Sequence, residues 1–165
     1  LTRFDNALAY ERGRCCLCRM LFRCVFVLFS ALFSYGLTAG ETLTLRIADN
    51  VLHLEVARSA EQHHRGLMGR TSLPANTGMV FLFEQPQTVA MWMKDTALNL
   101  DIIYVNACGE VFHTDTMSAN SLTLHPSLGP AVAAIELAQG ALERLRIRNG
   151  FRIPELTRAE HCRKP

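Results

Sequence analysis

Nowhere in the 165 residues is there a G-x-S-x-G, an H-E-x-x-H or a P-loop segment, and no stretch repeats or falls to low complexity. The strained serine elbow, the zincin helix and the phosphate-cradling loop are thereby excluded. None of the segments present implies a cofactor. An excess of positive charge is also missing from the globular part of the chain. Beyond Gly40 there are 12 Lys and Arg against 13 Asp and Glu, a net charge of −1, so the whole-chain value of +2 belongs to the first 40 residues. A protein that neutralises phosphates needs a basic face, and nucleic acid is therefore not expected as a partner. Tryptophan occurs once, at Trp92, and beyond Gly40 cysteine occurs only at Cys108 and Cys162.

The one long uncharged run, C-V-F-V-L-F-S-A-L-F-S-Y-G-L-T-A-G over 24–40, follows R-C-C-L-C-R-M-L-F-R and stops at Glu41. Its apolar core, Cys24 to Leu37, is shorter than the roughly 20 residues that cross a bilayer as a helix. A basic start, a short apolar core and small residues at Thr38, Ala39 and Gly40 have the layout of a secretory signal, cut after Ala39 or Gly40. An uncleaved N-terminal anchor is the alternative, and that segment is the only membrane association the sequence implies. Met20 rivals Leu1 as the start, which would leave residues 1–19 untranslated together with the C-x-x-C of Cys15, Cys16 and Cys18. The expected location is periplasmic or secreted, where Cys108 and Cys162 are free to pair.

After residues 1–40, residues 41–154 read as a single β-rich domain and 155–165 as a polar tail expected to fray. T-L-T-L-R-I-A (42–48) and V-L-H-L-E-V-A (51–57) alternate across a D-N turn, the pattern of a hairpin. Ser59 and Gln62 fit a capping box, which predicts a short helix from Ser59 that ends near Gly66 or Gly69. Strands are expected over 78–84, 88–93, 100–105, 110–117 and 131–137, with a proline turn at E-Q-P-Q (84–87) and a loop over 118–130. A helical turn should occupy 141–145, and N-G in R-I-R-N-G-F-R-I (146–153) signals a second hairpin. Eight short strands and two short helices predict a mainly β fold bordering on α+β, a compact antiparallel barrel-like domain.

Three ordered blocks, R-G-L-M-G-R-T-S-L-P-A-N-T-G-M-V-F-L-F (65–83), W-M-K-D-T-A-L-N-L-D-I-I-Y-V (92–105) and I-E-L-A-Q-G (135–140), resemble the domain of unknown function 192 family, and the likeness spans nearly all of 42–153. No established activity comes with that resemblance. The family usually has asparagine where Asp95 stands and proline where Asn99 stands.

In M-W-M-K-D-T (91–96) a strand period of two puts Met91 and Met93 on one face and Trp92 on the other. The two methionines then fill a core or, with His125, offer a soft site for copper(I). Glu61 and His64 have helical ligand spacing but read as a solvated face. Cys108 lies in a turn, where a cysteine in an exported chain is more often a disulfide partner than a nucleophile. What remains is a polar set inside apolar blocks, Arg65, Arg70, Trp92, Lys94, Thr96 and Asp101, joined by Glu136. One reading makes these ion pairs and caps. Another makes them a cleft in which Trp92 stacks on a small-molecule or carbohydrate-type ligand, with Asp101 and a neighbouring cation setting its polarity. A hydrolase of envelope polymers using Asp101 or Glu136 is the catalytic alternative, and it requires two carboxyls converging in one cleft at roughly 5–9 Å. Arg144, Arg146, Arg148 and Arg152 read as a solvated strand face.

Overall fold

Alternation over 42–57 folds into an antiparallel hairpin of β1 (Thr42–Ile47) and β2 (Asn50–Ala57), with Leu45, Ile47, Leu52 and Leu54 turned into the core. Ser59 then starts α1 (Ala60–Arg65). Its hydroxyl accepts from the Gln62 N–H, and Gln62 Oε1 accepts from the Ser59 N–H, which closes the capping box. The remaining elements are β3 (Thr77–Gln87), β4 (Ala90–Met91), β5 (Leu100–Val105), β6 (Val111–Met117), β7 (His125–Pro126), β8 (Ala131–Ala138), α2 (Ala141–Arg144) and a 3-10 turn, Pro154–Leu156. This computed structural model describes residues 40–47 and 49–162. The leader, and with it the expectations on signal cleavage and start site, lies outside the described residues. Among the described residues, no helix is long and apolar enough to cross a membrane.

Six strands form one sheet in the order β1-β2-β3-β8-β5-β6, parallel only between β2 and β3, while β4 and β7 make a separate two-stranded ribbon. The domain is mainly β with two short helices. Its main sheet is barrel-like without closing, because β1 and β6 remain as edges. Central strands β5 and β8 are buried along nearly their whole length, so both sheet faces are covered. One face, bearing Ile103, Val105, Ile135 and Leu137, packs under Ala141, Leu145, Ile147, Ile153 and Leu156. The other, bearing Phe81, Ile102, Tyr104 and Ala134, packs under Leu67 and Met93. β3 and β8 approach closely at Gly78, where a Cβ would collide with the Glu136 carbonyl oxygen and the Leu137 side chain.

Four local expectations are corrected. E-Q-P-Q does not break its strand: β3 runs on to Gln87 through a register shift between Leu82 and Gln87, and such an irregularity tolerates a residue with no N–H. The strand expected over 88–93 shrinks to Ala90–Met91. N-G at 149–150 makes no hairpin. Val111 donates to the Phe151 carbonyl and accepts from the Gly150 N–H, so this segment lends its backbone to β6 while Ile147 and Ile153 are held in the core. Consequently the four arginines of 144–152 do not share a strand face. Residues 155–162 are tied down rather than frayed: Leu156 is buried, Arg158 N–H donates to the Ala107 carbonyl, and Cys162 is disulfide-bonded to Cys108 with Cα atoms 4.7 Å apart.

Candidate functional site

Residues opposite one another in paired strands project from the same face of a sheet. One such rung runs Glu55 (β2), Met79 (β3), Glu136 (β8), Ile102 (β5), Asp115 (β6) and carries three carboxyls. Glu55 accepts from Arg70 Nη2 at 2.6 Å. Asp115 Oδ2 lies 2.6 Å from His125 Nδ1, a contact that holds the Asp115 carboxyl below its usual range. Glu136, between them, is 4% exposed, and no donor or cation among the described residues meets its carboxyl. Burial alone pushes its pKa up to about 8. At neutral pH it is therefore a protonated acid, able both to donate and to accept.

Glu136 lines a small cleft of about 70 Å³, open to solvent, whose walls come from α1 and its C-terminal turn (His63, His64, Arg65, Met68), from Phe81, and from Met91, Trp92 and Thr96. His63 serves the wall: its Nε2 is 3.1 Å from the Ala57 carbonyl and its ring lies edge-on to Phe83. Of M-W-M, Met93 is fully buried, Met91 is partly buried and Trp92 is 38% exposed. Lys94 Nζ stands over the Trp92 ring, 5.7 Å from its centroid. Thr96 is buried and closes the following turn, its hydroxyl donating to the Lys94 carbonyl at 3.2 Å. That turn puts Asp95 at φ 53, a left-handed conformation that asparagine and aspartate tolerate alike. Asn99 replaces the stiffness of proline with a bond, its Oδ1 accepting from the Ala119 N–H at 2.8 Å.

Arg65, Trp92 and Thr96 thus line one cleft. Lys94 stands over the Trp92 ring and is not among the lining residues, and two further expected site residues lie elsewhere. Arg70 is engaged by Glu55. Asp101 projects from the opposite face of the sheet. There its Oδ1 accepts from Thr116 Oγ1 at 2.9 Å and its Oδ2 from the Leu142 N–H at 3.0 Å. The N-cap of α2 is Gly140, which has no side chain to offer, so Asp101 supplies the missing acceptor from a different strand. Asp101 and Glu136 consequently do not converge.

The copper(I) set fares similarly. Met91 and His125 are opposite one another in the β4–β7 ribbon, but Met93 lies within the apolar core and His125 Nδ1 is committed to Asp115. Among the described residues, no three His, Cys, Asp or Glu are placed to hold a metal ion.

Tyr104 escaped the sequence reading. Its hydroxyl donates to the His125 carbonyl at 2.6 Å, and burial, followed by the Glu136 and Asp115 carboxyls, holds its pKa well above the ordinary range. It stays a hydroxyl donor and pins the β4–β7 ribbon over the cleft face.

The family model for the domain of unknown function 192, described as "Uncharacterized ACR", matches residues 43–154. The chain belongs to the domain of unknown function 192 family. Two solved structures are similar to it. One is described as a "putative transcription regulator" from Sinorhizobium meliloti 1021, 30% identical over 68% of this chain and 90% of that one, with a TM-score of 0.63. The other is a protein of unknown function from Novosphingobium aromaticivorans DSM 12444, 28% identical over 72% and 89% of the two chains, with a TM-score of 0.64. None of the curated proteins compared matches the chain. Within this family member, the residues of the second block divide between the cleft (Trp92, Thr96), the Trp92 ring (Lys94) and the fold (Asp101).

Proposed function

We propose that this member of the domain of unknown function 192 family is an exported, non-catalytic binding module of the cell envelope, whose ligand enters the Trp92–Glu136 cleft. The observation that carries the reading is Glu136, an almost wholly buried carboxyl with no partner of its own, on the wall of a cleft whose rim bears an exposed tryptophan. No fully buried side-chain nitrogen or oxygen among the described residues lacks a partner, so the Glu136 carboxyl meets solvent through the cleft, and a ligand that bonds to it takes the place of that water. A protonated carboxyl that donates and accepts, an indole face and Arg65 suit a small hydroxylated ligand of carbohydrate type. The hydrolase reading through Asp101 or Glu136 is not favoured, since Asp101 serves a helix cap on the far face. The regulator description of the Sinorhizobium relative is not carried over, because the charge beyond Gly40 is balanced.

A thermal-shift screen of residues 41–165 against monosaccharides, sugar acids and short oligosaccharides tests the ligand class, since specific binding raises the unfolding temperature by mass action. At least one hydroxylated ligand should stabilise the parent and not Trp92→Ala. A screen in which no sugar stabilises the protein overturns the class. Intact mass of the exported protein tests the location, with a chain beginning at Gly40 or Glu41 expected and one retaining 24–38 contradicting cleavage.

A further inference from the structure

A loop segment that crosses a protein surface ordinarily turns its polar residues outward. Residues 121–130 do the reverse. Leu122, Leu124, Pro126, Leu128 and Pro130 are exposed, while Ser127 is buried and Ser121, His125 and Gly129 are partly buried. The inward positions are fixed by polar bonds: Ser127 Oγ accepts from the Val89 N–H and donates to the Gly129 carbonyl, and His125 meets Asp115. Register is therefore set, and it sends the leucines to solvent. In the adjoining strand Met91 is opposite His125, and the residues just beyond that pair, Trp92 and Leu124, are both exposed. Trp92, Leu122, Leu124 and Leu128, at 38%, 66%, 62% and 71%, are all the large apolar side chains exposed among the described residues; three lie within residues 122–128, and Trp92 directly follows β4, which pairs with β7 in that segment. Leu128 also has a φ of 60, a left-handed conformation unfavourable for leucine, and burial repays none of it.

We infer that this ribbon is a membrane-docking surface that seats its leucines and Trp92 in the interfacial layer of a lipid bilayer. Residues 118–130 contain no Asp, Glu, Lys or Arg, so no charge has to be dehydrated, and Ser118, Asn120, Ser121 and Thr123 can bond to headgroups and water. Tryptophan is the side chain most at home at that depth, and Lys94 beside it suits lipid phosphate. The four apolar side chains present on the order of 400 Å². The inference does not depend on the identity of any ligand in the cleft, although Trp92, at the cleft rim, belongs to both surfaces.

Both core clusters lie between Leu45 and Leu156, so residues 41–165 form the folding unit to test. Trp92 is the only tryptophan and reports on the surface directly. With vesicles of phosphatidylcholine and phosphatidylglycerol, its emission should shift to the blue, bromine-labelled acyl chains should quench it, and the protein should sediment with the vesicles. Combined Leu122→Ser, Leu124→Ser and Leu128→Asn should weaken sedimentation with vesicles by at least about tenfold without lowering the thermal midpoint, as asparagine suits a left-handed φ. Vesicles that leave the parent's emission and sedimentation unchanged overturn the inference. So does a parent dimer in sedimentation equilibrium that the triple variant dissolves, which would assign the surface to a second copy.

Discussion

Asp101 and Glu136 stand on neighbouring paired strands, one residue out of register, and project from opposite faces of the sheet. Two carboxyls equally plausible in the sequence thereby acquire different work. One accepts the hydrogen bonds that start α2 and hold Thr116, and the other lines an open cleft with no partner.

Replacing Asp101 by alanine leaves the Leu142 N–H and the Thr116 hydroxyl without their acceptor, which should cost roughly 1–3 kcal/mol of stability. Urea unfolding should show a lower midpoint with an unchanged slope. Asp101→Asn should fall between parent and alanine variant. An Asp101→Ala protein as stable as the parent would remove Asp101 from its capping role.

How far the sequence shows this division depends on the type of signal. Hairpin β1–β2 and helix α1 were legible because alternation and a capping box act between residues close in the chain, and strands β5 and β8 because their apolar runs need two covered faces. The role of Asp101 was not legible, since α2 takes its cap from a residue 41 positions earlier. Pattern at 88–93 was overridden by the bulge that carries β3 through Pro86. At 146–153 the N-G signal lost to the burial of Ile147 and Ile153. Of the site, the outward Trp92 and inward Met93 follow from a period of two. That Glu136 lacks a partner while Glu55 and Asp115 have one depends on which residues the segment after α1 and the 118–130 loop bring to the same rung.

Glu136 makes stability depend on pH in a direction opposite to that of a salt-bridged carboxylate. Its folded pKa of about 8 lies above the ordinary 4.5. Below pH 4.5 the group is neutral in both states and its burial is not opposed by ionisation. As pH rises from there through about 8, the unfolded chain ionises first, so stability is lost progressively, by a few kcal/mol at most, on the order set by the pKa gap. Glu136→Gln abolishes this term. Chemical denaturation of parent and variant at pH 5 and pH 8.5 should show the variant gaining on the parent at the higher pH. A difference that does not change with pH would mean that the carboxyl ionises normally inside the fold.

The Cys108–Cys162 bond closes a 54-residue separation and anchors the C-terminal segment to the β5–β6 turn. Loop-closure entropy of that size corresponds to roughly 4 kcal/mol. Cys108→Ser with Cys162→Ser should lower stability by about that amount, as should reduction of the parent, and denatured oxidised protein comprising 41–165 should yield no free thiol. Two free thiols would contradict the bond.

Met93 and Trp92 are adjacent in sequence and opposite in environment. Met93→Ala should cost roughly 2–5 kcal/mol, the range for deleting a buried large side chain. Trp92→Ala should cost far less, because its ring is already partly in water. Comparable losses in thermal and urea unfolding would make both residues core and leave the cleft without its aromatic wall.

The claim that the Trp92–Glu136 cleft holds a ligand is tested most directly by isothermal titration of the strongest stabilising sugar against the parent, Trp92→Ala, Glu136→Leu and Asp101→Asn. Loss of a stacking ring or of a buried hydrogen-bonding group is expected to weaken binding at least about tenfold in each of the first two variants. Asp101→Asn, on the far face, should bind as the parent does. Unchanged affinity in Trp92→Ala and Glu136→Leu, or a loss confined to Asp101→Asn, would contradict the account.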